Sequence, residues 1–116
     1  MKTMENKIKT LLMKLGVEPS TLGFRYLIKA IEICYEDSDV LYSGGITKHL
    51  YPNIAKEFGT TYSRVERAIR YSVERMHDTN PKASEILIFP PSVLTGKYTN
   101  SQFIGACVEY FKMNEE

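Results

Sequence analysis

The stretch Ala55-Lys56-Glu57-Phe58-Gly59-Thr60-Thr61-Tyr62-Ser63-Arg64-Val65 has the spacing of two helices that meet at a tight turn. Ala55 is small where the helices cross, and a larger side chain there would push them apart. Gly59, four positions on, supplies the positive φ that the turn needs and that a Cβ would resist. Val65, six further on, is apolar and β-branched and is placed to pack back against the first helix. Thr61 is the expected N-cap of the second helix, with Ser63 and Glu66 offering an alternative Ser-x-x-Glu box. The spacing predicts a helix-turn-helix over about residues 52–76.

On either side of this motif the apolar residues keep a helical period. Val65, Ala68, Ile69, Ser72, Val73 and Met76 form one stripe of a helix over 62–76, which Asp78-Thr79-Asn80-Pro81 ends. Pro52 is tolerable only in a first turn, so 46–58 divides into a short helical turn at 46–51 and a helix from 52 to 58. Toward the N-terminus, Ile8, Leu11, Leu12 and Leu15 define a helix over 4–15 closed at Gly16. Leu22, Tyr26, Leu27, Ala30, Ile31 and Cys34 define a longer one over 22–35 that closes at Glu36-Asp37-Ser38-Asp39. Toward the C-terminus a short helix is predicted over 82–88, and Pro90-Pro91 then forces a loop. Thr99-x-x-Gln102 is a capping box opening a last helix that buries Phe103, Ile104, Cys107, Val108 and Phe111. The one alternating run, Ile86-Leu87-Ile88-Phe89, is too isolated to find a strand partner. The expected fold is all-α.

Composition narrows the function classes. At 116 residues, 43% hydrophobic and 25% charged, the chain is the size and make-up of one globular domain. No apolar run approaches the roughly 20 residues of a bilayer crossing, and the N-terminus lacks a signal-peptide pattern, so a cytoplasmic protein with no membrane partner is expected. Cys34 and Cys107 lie far apart inside apolar periods and read as buried reduced thiols. His49 and His77 have no ligand-like neighbour at helical spacing, so no metal and no cofactor is expected. Phosphate-binding glycine loops and nucleophile elbows are missing, as is any convergent nucleophile and base, which argues against an enzyme.

The net charge of +1 says little by itself, but its distribution is uneven. Between residues 46 and 77, Lys48, Lys56, Arg64, Arg67, Arg70 and Arg75 stand against Glu57, Glu66 and Glu74. With the Val65 stripe turned inward, the opposite face of the 62–76 helix carries Ser63, Arg67, Arg70, Tyr71 and Glu74, flanked by Arg64 and Glu66. Such a face suits a DNA major groove: arginine can clamp O6 and N7 of guanine, and a carboxylate can accept from the N4 amine of cytosine. A glutamate among arginines repels phosphate, so Glu66 makes sense there only if it reads a base or orients a neighbouring arginine. The same charges also fit a salt-bridged, solvated helix face with no ligand.

These residues resemble the DNA-binding effector domain of the sporulation master response regulator of endospore-forming bacteria. The similarity runs from about Ile8 to Lys112 and is densest at Ile46-Thr47-Lys48-x-Leu50-Tyr51-Pro52-x-Ile54-Ala55-Lys56 and Thr60-Thr61-x-Ser63-Arg64-Val65-Glu66-Arg67-Ala68-Ile69-Arg70. Thr99-Asn100-Ser101-x-Phe103-Ile104 agrees as well. The resemblance implies a compact six-helix fold whose fourth helix enters the major groove, tandem head-to-tail binding at a short box containing G and C, and transcription regulation. It maps Arg64, Glu66 and Arg67 onto the base-reading residues, with Arg70 close behind. The chain departs from the pattern at Tyr71, where histidine is usual, over Lys82–Lys97, and at Tyr98, which replaces a proline. A phosphorylated receiver domain, usual in that regulator, has no space in 116 residues, so a single helix-turn-helix domain over 1–116 is expected.

The expected function is thus sequence-specific binding of double-stranded DNA. Arg64 and Arg67 would read guanines, Glu66 would read a cytosine or brace the arginines, and Arg70 and Tyr71 would complete the face beside Ser63. Lys48, Lys56, Thr60 and Thr61 are the expected phosphate contacts, which set register without carrying sequence information. Expected partners besides DNA are a second copy in tandem and RNA polymerase. The competing reading is a protein-interaction module or antagonist that pairs with a full-length regulator without specific DNA binding of its own.

Overall fold

The computed structural model describes residues 3–42 and 44–114. Five α-helices form from the predicted stripes: α1 (Met4–Leu15), α2 (Leu22–Glu36), α3 (Tyr51–Phe58), α4 (Tyr62–Thr79) and α5 (Asn100–Met113). No strand occurs among the described residues. The six helices implied by the family resemblance are not reproduced: the described residues hold five α-helices, a π-helical turn, Ile46–Leu50, that runs straight into α3, and 3₁₀ turns at Ser38–Leu41 and Ala83–Glu85. Pro52 is the second residue of α3, and because the π-helical turn leads directly into it, its missing N–H leaves the ladder one bond short where the two join.

Capping follows the side chains that the sequence offers. Thr3, Thr21, Thr61 and Thr99 each accept a main-chain N–H of the first turn of α1, α2, α4 and α5. Thr99 and Gln102 complete the reciprocal box, with the Thr99 N–H donating to Gln102 Oε1 at 3.0 Å. Gly16 closes α1, and Asn80 Nδ2 donates to the Leu15 carbonyl at 2.9 Å, so the end of α4 also satisfies the end of α1.

α2 is the central helix, packed against α1, α4 and α5. Its buried residues Phe24, Leu27, Ala30, Ile31 and Cys34 meet Ile8, Leu12, Leu15, Ile69, Val73, Phe103 and Cys107 in one continuous core. Both cysteines are free and buried, and burial pushes the Cys34 thiol up to about 12. At the crossing of α2 and α4 the backbones approach so closely that a Cβ on Gly23 would lie 2.3 Å from the carbonyl oxygen of Ala68. The Thr21 and Ser72 hydroxyls share a hydrogen bond of 3.1 Å at the same place.

Two expectations require correction. The helix predicted over 82–88 is only a 3₁₀ turn, Ala83–Glu85. Seven residues make only about two turns, too few to hold a helix without tertiary support, and Pro90 draws Phe89 just beyond them into extended backbone. Phe111, expected among the buried residues of the last helix, is only partly buried, because it lies near the C-terminal end of α5, beyond the buried run that ends at Val108. The segment that departs from the family pattern is anchored by Tyr98: its hydroxyl donates to the Phe89 carbonyl at 2.6 Å and its ring meets Phe103 edge-on.

Candidate nucleic-acid interface

α3 ends at Gly59, whose φ of 64° and ψ of 39° place it in the left-handed region, and its N–H caps the Ala55 and Lys56 carbonyls. The Thr60 N–H donates to the Ala55 carbonyl at 2.9 Å, which finishes the turn. Thr61 then starts α4, its hydroxyl accepting the Arg64 N–H at 3.3 Å, so the Thr61 cap operates and the Ser63 alternative does not. Ala55 and Val65 are both buried, as the spacing of the motif requires.

α4 is amphipathic along its whole length. Val65, Ile69, Ser72, Val73 and Met76 are buried, Ala68 is partly so, and Ser63, Arg64, Arg67, Arg70, Tyr71 and Glu74 are exposed. With successive residues about 100° apart, Arg67 falls at the middle of the outward arc. The arginines are neither folded inward nor covered by α5, which meets α4 on its flank. There the Asn100 amide donates to the Glu66 carbonyl at 3.2 Å and to the Tyr51 hydroxyl at 3.0 Å. Burial pushes the Tyr51 phenol up, and the Asn100 hydrogen bond opposes the shift.

Charge is distributed along this face in two zones. Arg64, Arg67 and Arg70 occupy the N-terminal part, and Glu74 and Asp78, with Arg75 between them, the C-terminal part. The first turn of α4 contains no acidic residue, although the helix dipole favours one there and disfavours Arg64. Glu66 Oε2 pairs with Arg70 Nη1 at 3.2 Å. Among the described residues no carboxylate pairs with Arg64 or Arg67. An open groove of about 650 Å³ runs beside this half of α4, with Tyr51, Tyr62, Glu66, Arg70, Asn100 and Ser101 in its walls.

The remaining sequence-selected residues are placed unequally. Thr60 and Thr61 adjoin the arginines at the turn, and Lys48 is exposed on the π-helical turn before α3. Lys56 is exposed too, but it lines a shallow cleft with Lys29, Ile33, Asn53 and Glu57, to which no α4 residue contributes. Tyr71 is 56% exposed and stands on the same face as Arg67. The contacts that hold the interface from behind, Gly23 on Ser72 and Asn100 on Glu66, were missed by sequence reasoning. Their partners are tens of residues apart, and only the lone glycine within a helical stripe was a local signal.

Among the described residues no group of three or more His, Cys, Asp or Glu side chains could hold a metal ion, and no helix is long and apolar enough to cross a membrane. The surface that the sequence turns outward is therefore defined by guanidinium groups on an otherwise well-anchored helix. Residues 8–111 match the family described as the sporulation initiation factor Spo0A C terminal, which bears out the resemblance read from the motif. The chain belongs to this family, the double-stranded-DNA-binding effector domain of a sporulation transcription regulator.

Proposed function

We propose that α3, the turn at Gly59 and α4 act as a helix-turn-helix, with α4 lying in the major groove of duplex DNA. Arg64 and Arg67 clamp guanine edges, Arg70 and Tyr71 extend the readout, and Ser63 stands where the helix enters the groove. The observation that carries this reading is the unpaired state of Arg64 and Arg67. A salt-bridged surface helix would engage its arginines with neighbouring carboxylates, yet among the described residues only Arg70 is engaged, by Glu66. That ion pair supports Glu66 as a brace for Arg70 that can also accept from a cytosine amine. The cationic start of α4 leaves its positive dipole end open to phosphate, with Thr60 and Thr61 at the turn and Lys48 and Lys56 as further phosphate contacts.

The partners of such a domain follow from its size. One short helix binds DNA weakly alone, so a second copy in tandem and RNA polymerase are the proposed protein partners, and a duplex-DNA ligand puts the work in the cytoplasm. Selection of bound duplexes from a random pool identifies the site and the spacing between copies. Arg67→Ala then costs about 1–3 kcal/mol on the selected duplex and relaxes its base preference, whereas Lys56→Ala weakens selected and random duplexes alike. Equal losses on both duplexes for Arg67→Ala would refute the base-reading role. Binding that does not fall with rising salt would favour a protein-interaction module instead.

A further inference from the structure

Asn100 is the first residue of α5 and lies outside the turn-and-helix unit, yet its side chain reaches into it. Nδ2 donates to the Tyr51 hydroxyl at 3.0 Å and to the main-chain carbonyl of Glu66 at 3.2 Å, which uses both of its hydrogens. The Glu66 carbonyl is inside α4, where the helical ladder already gives it the N–H four residues on. The helix does not need Asn100 to satisfy that oxygen; the second lone pair is used for a tie between helices.

The tied carbonyl belongs to the peptide unit that joins Glu66 to Arg67. The other acceptor, Tyr51, is buried at the start of α3, and its ring meets the ring of Tyr62 at the start of α4 edge-on, 5.6 Å between centroids. α5 itself is fixed by its capping box and by Phe103 and Ile104 in the core. One amide thus connects the beginnings of α3, α4 and α5.

The geometry points to Asn100 as a positioning residue for DNA readout: by holding the Glu66–Arg67 peptide it sets the angle at which Arg67 and the Glu66–Arg70 pair enter the groove. This inference rests on the reading of α4 given above. Two-point clamping of a base is strict in direction, so a tilt of the helix affects discrimination more than it affects phosphate attraction.

Three variants separate the contributions. Asn100→Ala removes both donations. Asn100→Asp can still accept from the Tyr51 hydroxyl, and a carboxylate suits a helix start, but when ionised it cannot donate to the Glu66 carbonyl. Tyr51→Phe deletes only the other bond. Affinities are measured for the duplex recovered from the random pool and for a random-sequence duplex of equal length. Both Asn100 variants lower the ratio of the two affinities about tenfold, Asn100→Ala leaves the salt dependence unchanged, and Tyr51→Phe keeps the ratio. Combining Arg67→Ala with Asn100→Ala loses less discrimination than the sum of the two single losses, since part of the effect of Asn100 passes through Arg67. Equal losses on both duplexes, no loss, or additive losses with Arg67→Ala would overturn the inference. If Arg67→Ala alone leaves discrimination intact, the reading of α4 fails and the role of Asn100 with it. Should Asn100→Ala not fold, the affinity ratio of Asn100→Asp decides between the same outcomes.

Discussion

Replacing Gly23 by alanine tests whether main-chain contact sets the depth at which α4 sits on the core. The added Cβ would lie 2.0 Å from Ser72 Oγ, 2.8 Å from Ser72 Cβ and 2.3 Å from the Ala68 carbonyl oxygen. The hydroxyl can rotate away, but the carbonyl is part of α4, so the helix itself must retreat by about 1 Å to recover ordinary contact. Overpacking of this kind costs about 1–3 kcal/mol. Loss of the 3.1 Å Thr21–Ser72 hydrogen bond adds about 1 kcal/mol, for roughly 2–4 kcal/mol in all. Thermal unfolding followed by circular dichroism should therefore shift down by roughly 8–16 °C, at about 4 °C per kcal/mol for a chain of this length. Ser72→Ala in the same background relieves only the hydroxyl contact and should not restore the wild-type midpoint. Gly105→Ala is the control: its Cβ would meet only Leu41 Cδ1, at 4.0 Å, and removing a helical glycine should stabilise by about 0.5–1 kcal/mol. If Gly23→Ala is tolerated as well as Gly105→Ala, or if Ser72→Ala rescues it, the backbone apposition does not place α4.

Gly59→Ala should behave differently, because a Cβ there meets nothing within 4 Å and the cost is the left-handed φ alone. A loss of about 1–2 kcal/mol is expected for alanine and a smaller one for asparagine, read from urea midpoints; equal losses would refute a purely conformational origin. His77 should make stability depend on pH. Its Nε2 accepts the Tyr98 N–H at 2.9 Å, which requires the neutral ring, and burial together with Lys97 holds its pKa below the usual 6.5 against the opposing effect of Asp78. The unfolded chain therefore takes up the proton first, so this contribution is complete above pH 6.5 and is lost as the pH falls through 6.5 toward the lowered value. The stability gap between wild type and His77→Ala should narrow as the pH falls through 6.5, and a constant gap would refute the assignment.

The parts of this fold that were legible in the sequence are those whose physics is local. Helical stripes, the Thr61 cap, the Thr99–Gln102 box, the glycine turn and the outward placement of Arg64, Arg67, Arg70 and Tyr71 each depend on residues within one or two turns of one another. Where the reading failed, a local pattern met a non-local constraint. The apolar residues of 82–88 have helical spacing, and Ala83 and Leu87 are indeed buried, but Pro90 and the Tyr98 anchor on Phe89 leave the chain a single turn there. Lys56 is exposed on α3, as its place in the charge tally expects, and the Lys56→Ala measurement decides whether it contacts phosphate from a cleft to which α4 does not contribute. The role of Glu66 stayed open in the sequence between base reader and brace, and its 3.2 Å pair with Arg70 supplies the brace in the protein without DNA.

The pair of contacts that sequence reasoning missed has a common logic. DNA readout needs side chains that are mobile enough to meet a base but mounted on a backbone that is not. In the proposed reading Arg64 and Arg67 supply the first, being exposed and unpaired among the described residues. The second comes from behind, where Gly23 lets α2 touch the main chain of α4 at Ala68, and from the flank, where Asn100 holds the Glu66 carbonyl. Both attachments engage main-chain atoms of α4 rather than its side chains. Substitutions on the outward face can therefore change which bases are preferred while leaving the mounting intact, whereas a change at Asn100 should weaken discrimination between the selected and a random duplex without substituting any residue of the face itself.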